Sequence, residues 1–228
     1  MQSLNMNYAA VSMSVLFMGI LGWMYFLNHR ATRRGRSGLL DQCAALLDHP
    51  EISSNEAGYA NLEGRYQGFA VRMMLEEDHL GVRKIPSLWL HLVVKGKASV
   101  AGTLDMLVRP QNTEFYSPSW DWHGQVTPLP GWPGHAIYRT RGEAPDLQKI
   151  DASVRRLFDD EKAKELLLMP QSIRLTYQAK QADRGEYLLL RAAAFDHDPL
   201  SQDAVRELLD QAVGIRQSLE GNQNEYRH

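Results

Sequence analysis

Polarity along this chain changes character several times. Residues 8–27, YAAVSMSVLFMGILGWMYFL, carry no ionisable group except the Tyr8 and Tyr25 phenols, and only Ser12 and Ser14 add a non-aromatic hydroxyl. A helix of that length rises about 30 Å, the thickness of a bilayer's hydrocarbon core. Hydrocarbon offers no partner to a backbone amide, so helix is the predicted conformation. Leu39, Leu40, Cys43, Leu46 and Leu47 then recur at three-to-four spacing and predict a short helix over 37–48, stopped by Pro50. The polar run EISSNEAG at 51–58 reads as a loop.

From Tyr59 the period shortens to two. Residues 60–66, 69–75, 87–94 and 100–108 are rich in aromatic, β-branched and leucine side chains between turn residues and predict strands. Gly64-Arg65-Tyr66-Gln67-Gly68 predicts a bend or bulge, and Lys95-Gly96-Lys97 a hairpin turn into the next strand. A further strand is expected over 135–141. Leu147, Ile150, Val154, Leu157 and Phe158 mark an amphipathic helix with Asp146 or Asp151 near its start, and a second helical piece is expected up to Leu168, before Pro170. Strands over 173–179 and 186–194 are expected to form a hairpin about Asp183-Arg184-Gly185. The last helix is the best signalled. Ser201 caps it, Leu200 and Val205 staple it, Gly221 ends it, and Val205, Leu208, Leu209, Ala212, Ile215 and Leu219 form its stripe.

Short turns between strands favour antiparallel pairing, and strands and helices alternate too rarely for a doubly wound sheet. The expected fold is α+β: a single N-terminal transmembrane helix followed by one soluble domain, with a mainly antiparallel sheet covered by helices. The divisions are a tail and transmembrane helix at 1–29, a basic juxtamembrane linker and short helix at 30–58, the soluble domain at 59–221 and a polar tail at 222–228.

A signal peptide needs a basic leader, a shorter apolar run and a small-residue cleavage site. MQSLNMN is uncharged and NHRATRRG follows the run, so an uncleaved anchor is expected. Arg30, Arg33, Arg34 and Arg36 follow the span, and basic flanks stay in the cytoplasm. The expected topology is N-terminus out, with the domain on the cytoplasmic side of a bacterial inner membrane. Trp23 and Tyr25 sit at the same end as interfacial anchors. Gly19 and Gly22, and Ala10 and Ser14, could admit a second helix, although GxxxG is absent.

Charge narrows the partners. Among 228 residues all 27 acidic groups follow Arg36, with 21 of the 25 basic ones, so that part nets −6. This is the wrong sign for displacing counterions from nucleic acid, and no nucleic-acid partner is expected. The lone Cys43 excludes an intrachain disulfide framework and a Cys-rich metal site; its apolar setting marks it as a core residue.

Residues 111–133 hold Trp120, Trp122 and Trp132 among four prolines. If extended, Trp120 and Trp122 share one face and Asp121 and His123 the other. Tryptophan is enriched at interface cores, so a protein interface at Trp120, Trp122 and Trp132 is the expected role. A ligand or metal site would draw on Asp121, His123 and His135, but zinc needs three or four converging ligands and no two-His spacing provides them. Asp196-His197-Asp198 reads as a loop with carboxylates near a helix start. His79 and His91 have no evident partner set. Gly96-Lys97 lacks the earlier glycine and following hydroxyl of a phosphate loop, and G-x-S-x-G and Rossmann glycine patterns are absent.

No catalytic, cofactor or metal residue is assigned. The expected function is a single-pass, membrane-anchored accessory or assembly subunit of a bacterial membrane complex, binding lipid and other subunits without catalysis. The alternatives are a membrane-tethered hydrolase or metal-dependent enzyme, and, with the topology inverted, a periplasmic domain binding envelope carbohydrate.

Overall fold

The computed structural model describes residues 2–78, 85–96, 99–110, 115–190 and 193–221. Helix α1, Gln2–Ser37, runs straight into a 3-10 segment, Gly38–Leu46. Nine strands follow: β1 Asp48–Ser54, β2 Ala60–Tyr66, β3 Phe69–Glu77, β4 Ser87–Lys95, β5 Leu104–Val108, β6 Gly124–Gln125, β7 Ala136–Thr140, β8 Ala163–Met169 and β9 Ser172–Gln181. Helix α2, Asp151–Phe158, precedes β8, while α3, Arg184–Leu190, and α4, Gln202–Glu220, follow β9. All strands join one sheet in the order β1-β2-β3-β4-β9-β8-β5-β7-β6, and every pair is antiparallel.

The α+β expectation holds, because period-two alternation gives the sheet one apolar face. Leu62, Val71, Met73, Leu75, Leu90, Leu92, Leu104, Met106, Leu166, Leu168, Ile173 and Leu175 lie in one cluster with Val154 and Leu157 of α2 and the stripe of α4. Leu39, Leu40 and Cys43 of the 3-10 segment complete it. Burial pushes the Cys43 thiol up to about 11, which suits a packed side chain and not a reactive one. Ser201 accepts from the Ala204 amide at 3.4 Å, so the expected cap forms.

Several elements differ from expectation. The 37–48 stretch is helical but 3-10, continuous with α1, and its cap residue Leu47 is already extended. The polar 51–58 run is not simply a loop: its first half belongs to edge strand β1, exposed at every position, which alternation cannot reveal. The hairpin expected at Lys95-Gly96-Lys97 is absent, since β4 pairs with β3 and β9 and not with β5. The chain instead passes over the β8–β9 turn, where the Gly96 amide donates to Gln171 O at 2.8 Å and the Val100 amide to Pro170 O at 2.9 Å. The strand expected from Val100 starts at Leu104.

The helical piece expected before Pro170 is strand β8. AKELLLM is made of good helix formers, but the segment sits between β9 and β5, and pairing on both sides overrides propensity. Conversely, the strand expected over 186–194 begins as helix α3. Asp183 Oδ1 accepts from the Glu186 amide at 2.7 Å, and Asp183-x-x-Glu186 is a start signal of the capping-box kind.

Candidate functional site

Three places carry polar or aromatic side chains beyond the needs of packing. The first is the base of α1. Residues 11–31 are exposed throughout, and among the described residues this is the one helix long and apolar enough to cross a membrane. Trp23 and Tyr25 are exposed, Tyr25 stacks on His29 at 6.0 Å, and the Arg30 guanidinium lies 5.2 Å from the Phe26 ring centroid. Arg36 is spent on the domain: it donates to Ala57 O at 2.9 Å, pairs with Glu77 at 2.9 Å and lies over the Tyr59 ring at 4.8 Å. The Tyr59 hydroxyl also donates to Glu77, at 2.5 Å. Burial and that carboxylate push the phenol's pKa upward. Arg33 reaches Glu56 O at 3.5 Å, whereas Arg34 is exposed. One end of α1 is therefore bolted to the domain while the other projects from it.

The second place is the tryptophan segment. Its backbone is not extended: Pro118–Asp121 is a 3-10 turn capped by Ser117. The turn parts the two indoles that extension would have put together. Trp122 is 6% exposed and Trp120 is 49% exposed. Trp132 is also 6% exposed; its indole N–H donates to Asp151 Oδ1 at 2.7 Å and its ring stacks on Tyr138 at 6.0 Å. Trp122 and Trp132 thus spend most of their area inside this chain. Trp120 remains outward, in a groove of about 530 Å³ shared with Tyr116, Pro118, Arg141 and Pro170. His123 lines a separate groove, with Gln125 and Arg139.

The third place is the sheet face opposite the apolar cluster, where the alternate positions are polar. His91 Nε2 lies 3.0 Å from Glu76 Oε2, and His91 Nδ1 lies 3.1 Å from Thr176 Oγ1. Thr176 donates to Glu165 Oε2 at 2.9 Å, and Arg174 grips the same carboxylate with two bonds of 3.0 and 3.1 Å. Next along, Asp105 accepts from the Ser119 hydroxyl, and its other oxygen is buried without a hydrogen-bond partner among the described residues. Desolvation, and then the Glu165 charge, push the Asp105 carboxyl up to about 7, against the Ser119 bond and the Arg174 and Arg139 charges. The Phe115 ring meets Trp89 and His91 edge-on at 5.5 and 5.4 Å. His91 accordingly has the partners that its isolated position in sequence concealed. A signal existed: charged residues at alternate positions of otherwise apolar strands.

Among the described residues no group of three or more His, Cys, Asp or Glu side chains could hold a metal ion. In the Asp196-His197-Asp198 loop, Asp196 pairs with Lys180 and accepts from the Asp198 amide, and the His197 ring fills the space beside Gly35 of α1. These contacts are structural. His79 lies outside the described residues.

No protein-family model matches the chain, and no curated protein matches it. Among solved structures it is similar to the mycobacterial trehalose monomycolate transport factor A, TtfA, at 9% identity and a TM-score of 0.40, over 83% of this chain and 92% of that one. At that identity and score the likeness says nothing of what this chain does.

Proposed function

We propose that the protein is a membrane-anchored accessory or assembly subunit of a bacterial membrane complex, with no catalytic role of its own. The supporting observation is the division of α1: residues 11–31 are exposed, while Arg33 and Arg36 hold the following turn to the domain. An exposed apolar surface of that size costs too much in water to persist unless lipid or protein covers it. In this reading residues 1–29 are tail and anchor, Trp23 and Tyr25 sit at the interface, and Arg30, Arg33, Arg34 and Arg36 hold the following end in the cytoplasm. Residues 30–58 link the anchor to the domain at 59–221 and add the 3-10 segment and edge strand β1 to it, and 222–228 are a tail.

The topology is testable with reporters fused after His228. A reporter active only in the cytoplasm is expected to work, and one active only in the periplasm is expected to stay silent; the reverse result discards the inward-facing domain.

Trp120 carries the partner surface, with Tyr116, Pro118 and Trp122 lining the same groove, while Trp132 packs in the core against Tyr138. Truncating a tryptophan at an interface centre costs about 2 kcal/mol or more, so Trp120→Ala is expected to reduce partner recovery from mild-detergent extracts at least about tenfold. Equal recovery with the parent chain would remove Trp120 from the interface.

A further inference from the structure

Helix α3 exposes apolar side chains where a soluble domain has no use for them. Leu188 is 56% exposed and Leu189 81%, although Tyr187 between Glu186 and these leucines is buried. Helical geometry places Leu189 nearly opposite Tyr187, so the tyrosine fastens the helix and the leucine points away from the domain. In sequence, Arg184 and Arg191 bracket the run Tyr187-Leu-Leu-Leu.

The position of this helix relative to α1 gives the leucines a partner. Glu186 lines a cavity of about 320 Å³ together with Asn28, Thr32 and Arg36 of α1 and with residues 193–197. Asn28 is the first residue beyond the apolar stretch that ends at Leu27, and Thr32 lies about 6 Å further along the helix axis. A bilayer's polar layer is about 5–8 Å deep on each side of the hydrocarbon. The cavity also reaches Arg36, about 12 Å along the axis from Asn28, so Glu186 faces α1 at a level between the edge of the hydrocarbon and just beyond the headgroups. The level is held, because Arg36 is bound to Glu77 and Ala57 and the His197 ring packs at Gly35.

We infer that α3 is a second membrane contact, lying in the headgroup layer beside α1 with Leu188 and Leu189 reaching toward the acyl chains. The apolar side chains of an interfacial helix enter the headgroup–acyl boundary, and an exposed arginine such as Arg184 keeps its guanidinium among the phosphates. The domain then rests on the bilayer at two points, which fixes its tilt and the direction in which Trp120 faces. This inference rests on the anchored reading of α1.

The test uses the full chain reconstituted in phosphatidylethanolamine–phosphatidylglycerol vesicles, with an NBD fluorophore attached at Leu189→Cys or, separately, at Tyr25→Cys. Cys43 is fully buried and does not compete for label. With nitroxide-bearing lipid present, emission from position 189 is expected to be blue-shifted and largely lost, as is that from position 25. Quenching at 25 with full emission at 189 overturns the α3 contact alone and leaves the leucines to a protein partner. Full emission at 25 overturns the anchor, and the inference falls with it.

Discussion

Replacing Arg216 with methionine is expected to destabilise the domain by about 3–5 kcal/mol, the usual cost of breaking a buried charged pair from one side. Arg216 is fully buried on α4, where its guanidinium donates to Glu220 at 2.7 Å, to Met169 O at 3.3 Å and to Pro170 O at 2.9 Å. Those two carbonyls belong to the β8–β9 turn, the same turn that the β4–β5 crossover bonds. One side chain thus joins the last helix, a hairpin and the long connection. Gly96 belongs to this arrangement, since a Cβ there would run into the guanidinium. Methionine fills the volume but takes the guanidinium away from the Glu220 carboxylate and from both carbonyls, of which Pro170 O keeps the Val100 amide. A loss of that size is a large share of a domain's usual 5–15 kcal/mol. Thermal melting of the sheet signal in detergent is the measurement. Glu220→Gln keeps an amide oxygen that accepts from the guanidinium and leaves Arg216 its two carbonyls, so it is expected to cost less. Equal losses for both variants would show that the ion pair, and not the turn, is what Arg216 holds.

The second large effect is one of pH. Asp105 ionises at about 3.8 in an ordinary setting and at about 7 in the folded protein. Between those values the folded state keeps a proton that the unfolded chain has released. Its contribution is therefore full below about pH 4 and is lost as pH rises toward 7. A shift of that size corresponds to an effect on the order of 4 kcal/mol at most, since each pKa unit is worth about 1.4 kcal/mol. Glu165, Arg174 and Arg139 face the carboxyl, and Ser119 donates to it. Asp105→Asn keeps the shape and removes the titration. Stability measured at pH 5 and pH 8 should fall by less in the variant than in the parent, leaving the variant the more stable at pH 8. Parallel pH dependence in the two proteins would mean that Asp105 is ionised in the fold throughout.

Much of the architecture was legible in linear form. The 8–27 run could only be a lone apolar helix, and α4 carried its cap, stripe and terminator within twenty or so residues. Strands β2 and β3 announced themselves by alternation, because one face of each lies in the apolar cluster and the other is more open, and β4 by its apolar and aromatic run between turn residues. Where both faces of a strand are covered, as in β8, the alternation is lost and leucine-rich segments look helical. Where neither is covered, as in β1, Ile52 is the one large apolar side chain and no alternation marks the strand.

The candidate site was less legible. Composition drew attention to three tryptophans, but a 3-10 turn of four residues decided that Trp120 faces outward and Trp122 inward. The His91–Thr176–Glu165 row joins strands up to 85 residues apart in sequence, and no local spacing encodes such a meeting. From residue types and their periods alone, the chain determined an apolar N-terminal helix, an acidic α+β domain and a capped last helix. These rest on local hydrophobicity and local hydrogen bonding. Strand order, the crossover locked by Arg216, the burial of Asp105 and the placing of α3 beside the base of α1 were decided by the tertiary structure, because each depends on which distant segments share a surface.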